Sequence, residues 1–117
     1  MGQPETMELI PMMQLLMADI YRIDEGIYTE NFELIREGGL SIAHHPVMTE
    51  EDKAMIQKAL GNEFKRFVRY DMIVHRRADS LAAAASQQNM EAVLRNYRIV
   101  QEGCVDCHSD FRSTIVD

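Results

Sequence analysis

The sequence predicts an all-α protein of four helical stretches in a single domain spanning residues 1–117. Three observations predict it. Apolar residues recur every three or four positions through long segments, the period of an amphipathic helix. Few β-branched runs alternate with polar residues, so little or no sheet is expected. Short breaks carrying Gly, Pro, Asn or Thr separate the segments. At 117 residues and 46% hydrophobic, the chain can bury one modest core.

The first helix is expected from about Glu5 to Ile27. Leu9, Met13, Leu16, Ile20, Ile23 and Ile27 form a heptad-like stripe, as in helices packed nearly parallel to their neighbours. Pro11 either kinks its first turns or delays its start. A second helix fits from about Asn31 to Ala43, with Phe32, Ile35, Gly39 and Ile42 on one face. Gly38 and Gly39 weaken it by roughly 1 kcal/mol each relative to Ala, which suggests close approach by another helix or a bound group. His44 and His45, before Pro46, are expected to cap its end, where cations are favoured.

Thr49, followed by Glu50, Glu51 and Asp52, reads as a third helix start. The pattern runs to about Gln87, with a bend or fresh start at Gly61-Asn62. Phe67, Asp71, Val74, Ala78, Leu81 and Ala85 form its inward stripe. The second half of that stripe is small and leaves room for something bulky. The last helix runs from Asn89, a good N-cap, to Phe111 or beyond. Met90, Val93, Tyr97, Val100, Cys104, Cys107 and Phe111 repeat the heptad stripe.

Cys104-Val105-Asp106-Cys107-His108 is a C-x-x-C-H run, the pattern of covalent haem attachment. Two thiols must add across two vinyl groups on neighbouring edges of the porphyrin. Cysteines three apart share a helix face and reach both. The next histidine is then held under the iron as proximal ligand. Both cysteines lie on the core stripe, which places the haem inside the bundle and makes it the candidate for the room beside the alanines. Competing readings fit less well. Tetrahedral zinc needs four ligands, no second Cys pair exists, and His44, His45 and His75 lack finger-like spacing. A thioredoxin-type pair needs a preceding strand, whereas this approach is helical. Two ordinary cysteines beside a histidine remain the plainest alternative. Asp71 and His75, four apart, are expected to pair with each other, and His75 offers a second imidazole for a bis-His iron site.

Net charge is −7, which argues against a nucleic-acid partner. Acids outnumber bases eleven to four up to Lys58 and match them eight to eight afterwards. Lys65, Arg66, Arg69, Arg76 and Arg77 form a basic run that could offset haem propionates, face a partner or simply be solvated. No apolar run is long enough to span a membrane. Haem attachment of this kind occurs mostly outside the cytoplasm, yet Met1-Gly2-Gln3-Pro4 is no secretory leader. The expected location is therefore periplasmic, with a signal peptide removed. The nine methionines suit irregular surfaces such as those around a flat cofactor, although most serve as core filler.

A C-x-x-C-H near the C-terminus of a four-helix chain resembles the class II cytochromes c, the cytochromes c-prime and their Met-ligated relatives. Cys104 to Arg112 is similar to the family's ending, with an aromatic and an Arg after the His. Met12-Met13-Gln14-Leu15-Leu16-Met17 is similar to its distal haem wall. The resemblance implies an antiparallel four-helix bundle with one covalent haem c per chain and His108 as proximal iron ligand. It sets Met13 against the distal position, and Met13 is also the first-helix methionine on the strict seam. Met17 lies about 40° of helix rotation away, Met12 about 100°; Met7 is the remaining candidate. Ile10-Pro11 stands where the c-prime pattern has Arg-Gln, a departure from that subgroup. Arg112, one turn after His108, is a candidate partner for a propionate. The implied function is one-electron transfer to a redox partner protein by a six-coordinate His/Met haem, a carrier rather than an enzyme. The alternative is a five-coordinate haem that binds nitric oxide or carbon monoxide. Two-fold dimers through the first two helices are common in the family.

Overall fold

The computed structural model describes residues 6–116. Glu5, the expected helix start, and the leader reading at Met1-Gly2-Gln3-Pro4 lie outside the described residues. Helices run over Leu9–Tyr28 (α1), Phe32–Ala43 (α2), Glu50–Leu60 (α3), Phe64–Ser86 (α4) and Met90–Val116 (α5). A 3-10 turn at Gly61–Glu63 divides the long third stretch into α3 and α4. Gly61 makes that break with φ of 56°, a left-handed value that favours glycine. Among the described residues, extended pairing is limited to Thr6–Met7 (β1) and Val47–Met48 (β2). They lie parallel, Thr6 opposite Val47 and Met7 opposite Met48.

Local chemistry sets the helix starts. The Asn31 side chain accepts from the Leu34 N–H at 3.1 Å, Thr49 from Asp52 at 3.2 Å, and Asn89 from Ala92 at 3.1 Å. Pro11 resolves itself by a later start. In the first turn of α1 its missing N–H would have had no helical partner. The first i to i−4 bond, Met12 N–H to the Glu8 carbonyl at 3.0 Å, follows it directly. Glu8 makes no side-chain cap. The cap comes instead from α3, whose Asp52 carboxylate accepts the Leu9 N–H at 2.8 Å.

Successive long helices pack antiparallel. Gly26 of α1 meets Ile35 of α2, and Gly38 meets Ile23 and Asp19. Gly39 meets Ala78, Leu81 and Ala82 of α4, while His45, just past α2, reaches His75. Val74 of α4 meets Gly103 of α5, and Tyr70 meets Asp110. The two adjacent glycines of α2 thus serve two different neighbours. Gly38 admits the α1 backbone and Gly39 admits α4. A Cβ on Gly39 would lie 2.9 Å from the Ala78 carbonyl oxygen. This corrects the reading of the small half of α4. Ala78 and Ala82 make room for α2, while Leu81 and Ala85 join its Ile35 and Ile42 in the core.

The core falls into two clusters. The larger holds Ile23, Ile35, Ile42, Val74, Ala78, Leu81, Ala84, Ala85, Val93, Tyr97 and Val100, with Leu16, Ile20 and Ile27 against it. The smaller holds Leu9, Ile56, Leu60 and Phe111, with Met13, Phe64, Phe67 and Tyr70 against it. The α1 and α5 seams face inward as expected. On α4, Asp71 departs from its stripe and stays exposed. Helices α1/α2, α2/α4 and α4/α5 pack closely, whereas α1/α5 is not among the close pairs. Tyr97 of α5 bridges that side by donating its hydroxyl to the Asp24 carboxylate of α1.

Candidate functional site

Helix α5 positions Cys104, Cys107 and His108 along two turns. Gly103 lets α5 approach α4 just before the motif, since a Cβ there would meet Val74 Cγ2 at 2.8 Å. Cys104 packs against the larger cluster and Cys107 against the smaller. The division of the core therefore runs between the two thiols. On α1 it runs between Met13 and Leu16, and on α4 between Tyr70 and Val74. The C-x-x-C-H motif of α5 and Met13 of α1 thus lie at the same level of the core, on helices that are not a closely packed pair.

Both cysteines are free and half-buried. Burial raises the Cys104 thiol pKa, and the nearby Asp71 adds to the shift. Burial pushes Cys107 up to about 11, with Cys104, Asp71 and Asp110 contributing. A redox Cys pair relies on the opposite shift, a depressed pKa that yields thiolate at neutral pH. The zinc alternative also loses ground. Among the described residues, no cluster of three metal-donor side chains includes either cysteine.

His108 is exposed and has no hydrogen bond or ion pair among the described residues. Arg112 is exposed as well. Phe111 is buried under Phe67 and Tyr70, with ring centroids at 6.0 and 6.1 Å, and the Arg66 guanidinium lies 5.0 Å from its centroid. Arg66 also pairs with Glu63 at 2.7 Å and Asp110 at 3.4 Å, so this member of the basic run is occupied. The first-helix methionines separate by burial. Met13 is half-buried on the smaller cluster that also holds Cys107. Met12 is 2% exposed, and Met17 is 47% exposed on the outer face. Met7 is half-buried in β1. The two free thiols, three apart, are half-buried on the inward seam, the imidazole next to them is exposed, and the Met13 thioether packs on the cluster that Cys107 also contacts.

The histidines depart from their expected places. His44 is the C-cap residue of α2 through its backbone N–H, bonded to the Leu40 carbonyl at 3.0 Å, while its side chain is exposed. His45 does not cap. Its ring turns inward to meet His75 and Asp71, and the expected Asp71–His75 pair gains a third member. The i, i+4 spacing revealed the pair, but nothing local in the sequence ties His45 to residues some thirty positions away. Compared with known protein families, curated proteins and solved structures, the chain matches none. No described helix is long and apolar enough to cross a membrane.

Proposed function

We propose that this chain is a one-electron carrier whose single haem c is bound through Cys104 and Cys107, with His108 as proximal and Met13 as distal iron ligand. The observation that carries the reading is the C-x-x-C-H run on α5 with both thiols half-buried where the two core clusters meet. Haem held in this way supplies a one-electron iron couple whose potential follows its ligands, burial and nearby charge. Leu16 of the larger cluster and Leu9 and Phe111 of the smaller would supply apolar surroundings for the group. Arg112 would hold a propionate from the exposed side of the same helix. A periplasmic location follows from the chemistry of attachment. A homodimer would use α1, where Ile10, Met17, Tyr21 and Tyr28 are exposed and fall within about 40° of helix rotation.

The five-coordinate, gas-binding reading has one observation in its favour: α1 and α5 are not a closely packed pair. One experiment separates the two. Protein matured by a cytochrome c assembly system is extracted with acid acetone, and its visible spectrum is taken oxidised, reduced, and reduced with carbon monoxide. Electron transfer predicts haem retained on the chain, a low-spin spectrum and no response to carbon monoxide. A high-spin spectrum that shifts with the gas selects the alternative. Haem released by the extraction, or no Soret band, removes both.

A further inference from the structure

His45, His75 and Asp71 place three ligand atoms within 4.8 Å of one another. His45 Nε2 lies 2.6 Å from His75 Nε2, Asp71 Oδ1 is 3.2 Å from His75 Nε2, and it is 3.9 Å from His45 Nε2. We propose that these three side chains form a binding site for a divalent first-row transition ion such as zinc, made of residues outside the C-x-x-C-H motif although Asp71 lies near its thiols.

The tautomer of His45 comes first. Its Nδ1 lies 2.7 Å from the Pro46 carbonyl oxygen. A carbonyl only accepts, so Nδ1 carries the hydrogen and donates it. Nε2 of the neutral ring is then a bare lone pair aimed at His75. A ring N–H fixed on a backbone carbonyl is the outer support that metal-binding histidines ordinarily have. The His45 side chain is 8% exposed, so its partner in the absence of an ion is the His75 ring rather than water.

His75 Nε2 faces two acceptors at once, the His45 lone pair and the Asp71 carboxylate. One Nε2 hydrogen serves only one of them, whereas a dication accepts electron pairs from all three groups. The distances also suit an ion. Ligands about 2.0–2.1 Å from tetrahedral zinc stand roughly 3.3 Å apart. The observed separations of 2.6, 3.2 and 3.9 Å straddle that value. Small side-chain rotations of His75 and Asp71, 30% and 53% exposed, even them out. Two imidazoles and one carboxylate suit zinc and its first-row neighbours better than calcium or magnesium. The exposed Asp71 side leaves remaining positions to water.

The test is isothermal titration of the full-length haem-loaded protein with zinc in chelator-free buffer, repeated on variants. The expected result is one saturable site per chain. His45→Gln and His75→Gln should each weaken it by about 100-fold or more. Asp71→Asn alters an exposed side chain and should keep the fold, as circular dichroism would verify, yet also weaken the site. His44→Gln, whose exposed ring lies outside the cluster, should leave affinity unchanged. The proposal is overturned if wild type shows no saturable zinc binding, or if Asp71→Asn and a folded histidine variant bind as wild type does. It also fails if His75→Gln changes the haem spectrum in the absence of zinc, because the imidazole would then belong to the haem iron.

Discussion

Met13 is half-buried, Met12 fully buried and Met17 outward, and these placements set three different expectations for the same substitution. In haem-loaded protein, Met13→Ala should abolish the weak far-red charge-transfer band of thioether ligation and open the iron to carbon monoxide. Met12→Ala should keep the band while costing about 2–5 kcal/mol of stability, because it empties a filled core position. Met17→Ala should change little of either. A band lost with Met12→Ala or Met17→Ala but kept with Met13→Ala would show that another methionine holds the iron. A second residue-scale prediction concerns Asp19, whose side chain is 1% exposed. Its carboxylate accepts from Ser41 Oγ at 2.7 Å, lies 3.6 Å from Arg22 and feels the charge of His45, yet burial outweighs all three and raises its pKa. The folded protein therefore holds this proton to higher pH than the unfolded chain does. Stability from this group is complete below the ordinary carboxylate range and is lost as pH rises through the raised folded value. Asp19→Asn keeps an acceptor for Ser41 without the charge. Urea unfolding across pH should show the variant gaining on wild type as pH rises through that window, and a constant gap would contradict the sign.

The helix boundaries were legible because their causes are local. Asn31, Thr49 and Asn89 each cap within three residues of themselves, and Gly61 turns the chain alone. What a helix meets was less legible. The alanines of α4 announce a narrow face, but whether that face admits a helix or a cofactor depends on which glycine lies opposite. The Asp52 cap on α1 and the approach of His45 to His75 span 43 and 30 residues and have no local trace. The α2–α4 contact gives the prediction at this scale. A Cβ on Gly39 would stand 2.8 Å from Leu81 Cδ2, 2.9 Å from the Ala78 carbonyl and 3.3 Å from Ala82 Cβ. Backbone cannot step aside as a side-chain tip does. Gly39→Ala should gain about 1 kcal/mol of helix propensity and lose more than that to overpacking, for a net loss of about 1–2 kcal/mol. A lowered urea midpoint with unchanged slope would bear this out, and a raised midpoint would count against so close a contact.

The molecule as a whole joins two core clusters of unequal size at the level of the C-x-x-C-H motif. The larger is closed by α1, α2, α4 and α5, while the smaller draws on α3 and the outer turns of α1, α4 and α5. Cooperative units of unequal contact density open at different free energies. The smaller cluster should therefore open first, carrying α3 and the first turns of α1 with it, since Asp52 ties those two together. Phe111 is its anchor, 3% exposed and packed against Phe67, Tyr70 and the Arg66 guanidinium. Phe111→Ala should cost about 3–5 kcal/mol, as large aromatic truncations in cores do. That loss should be spread unevenly. Native-state hydrogen exchange is expected to show protection falling sharply for amides in Ile56–Leu60 and in Met12–Leu16. Amides in Ile35–Ile42 and Val93–Val100 should retain protection close to wild type as long as the larger cluster stays closed. An equal drop across both groups would mean that the bundle unfolds as one unit and that the division of its core carries no energetic weight.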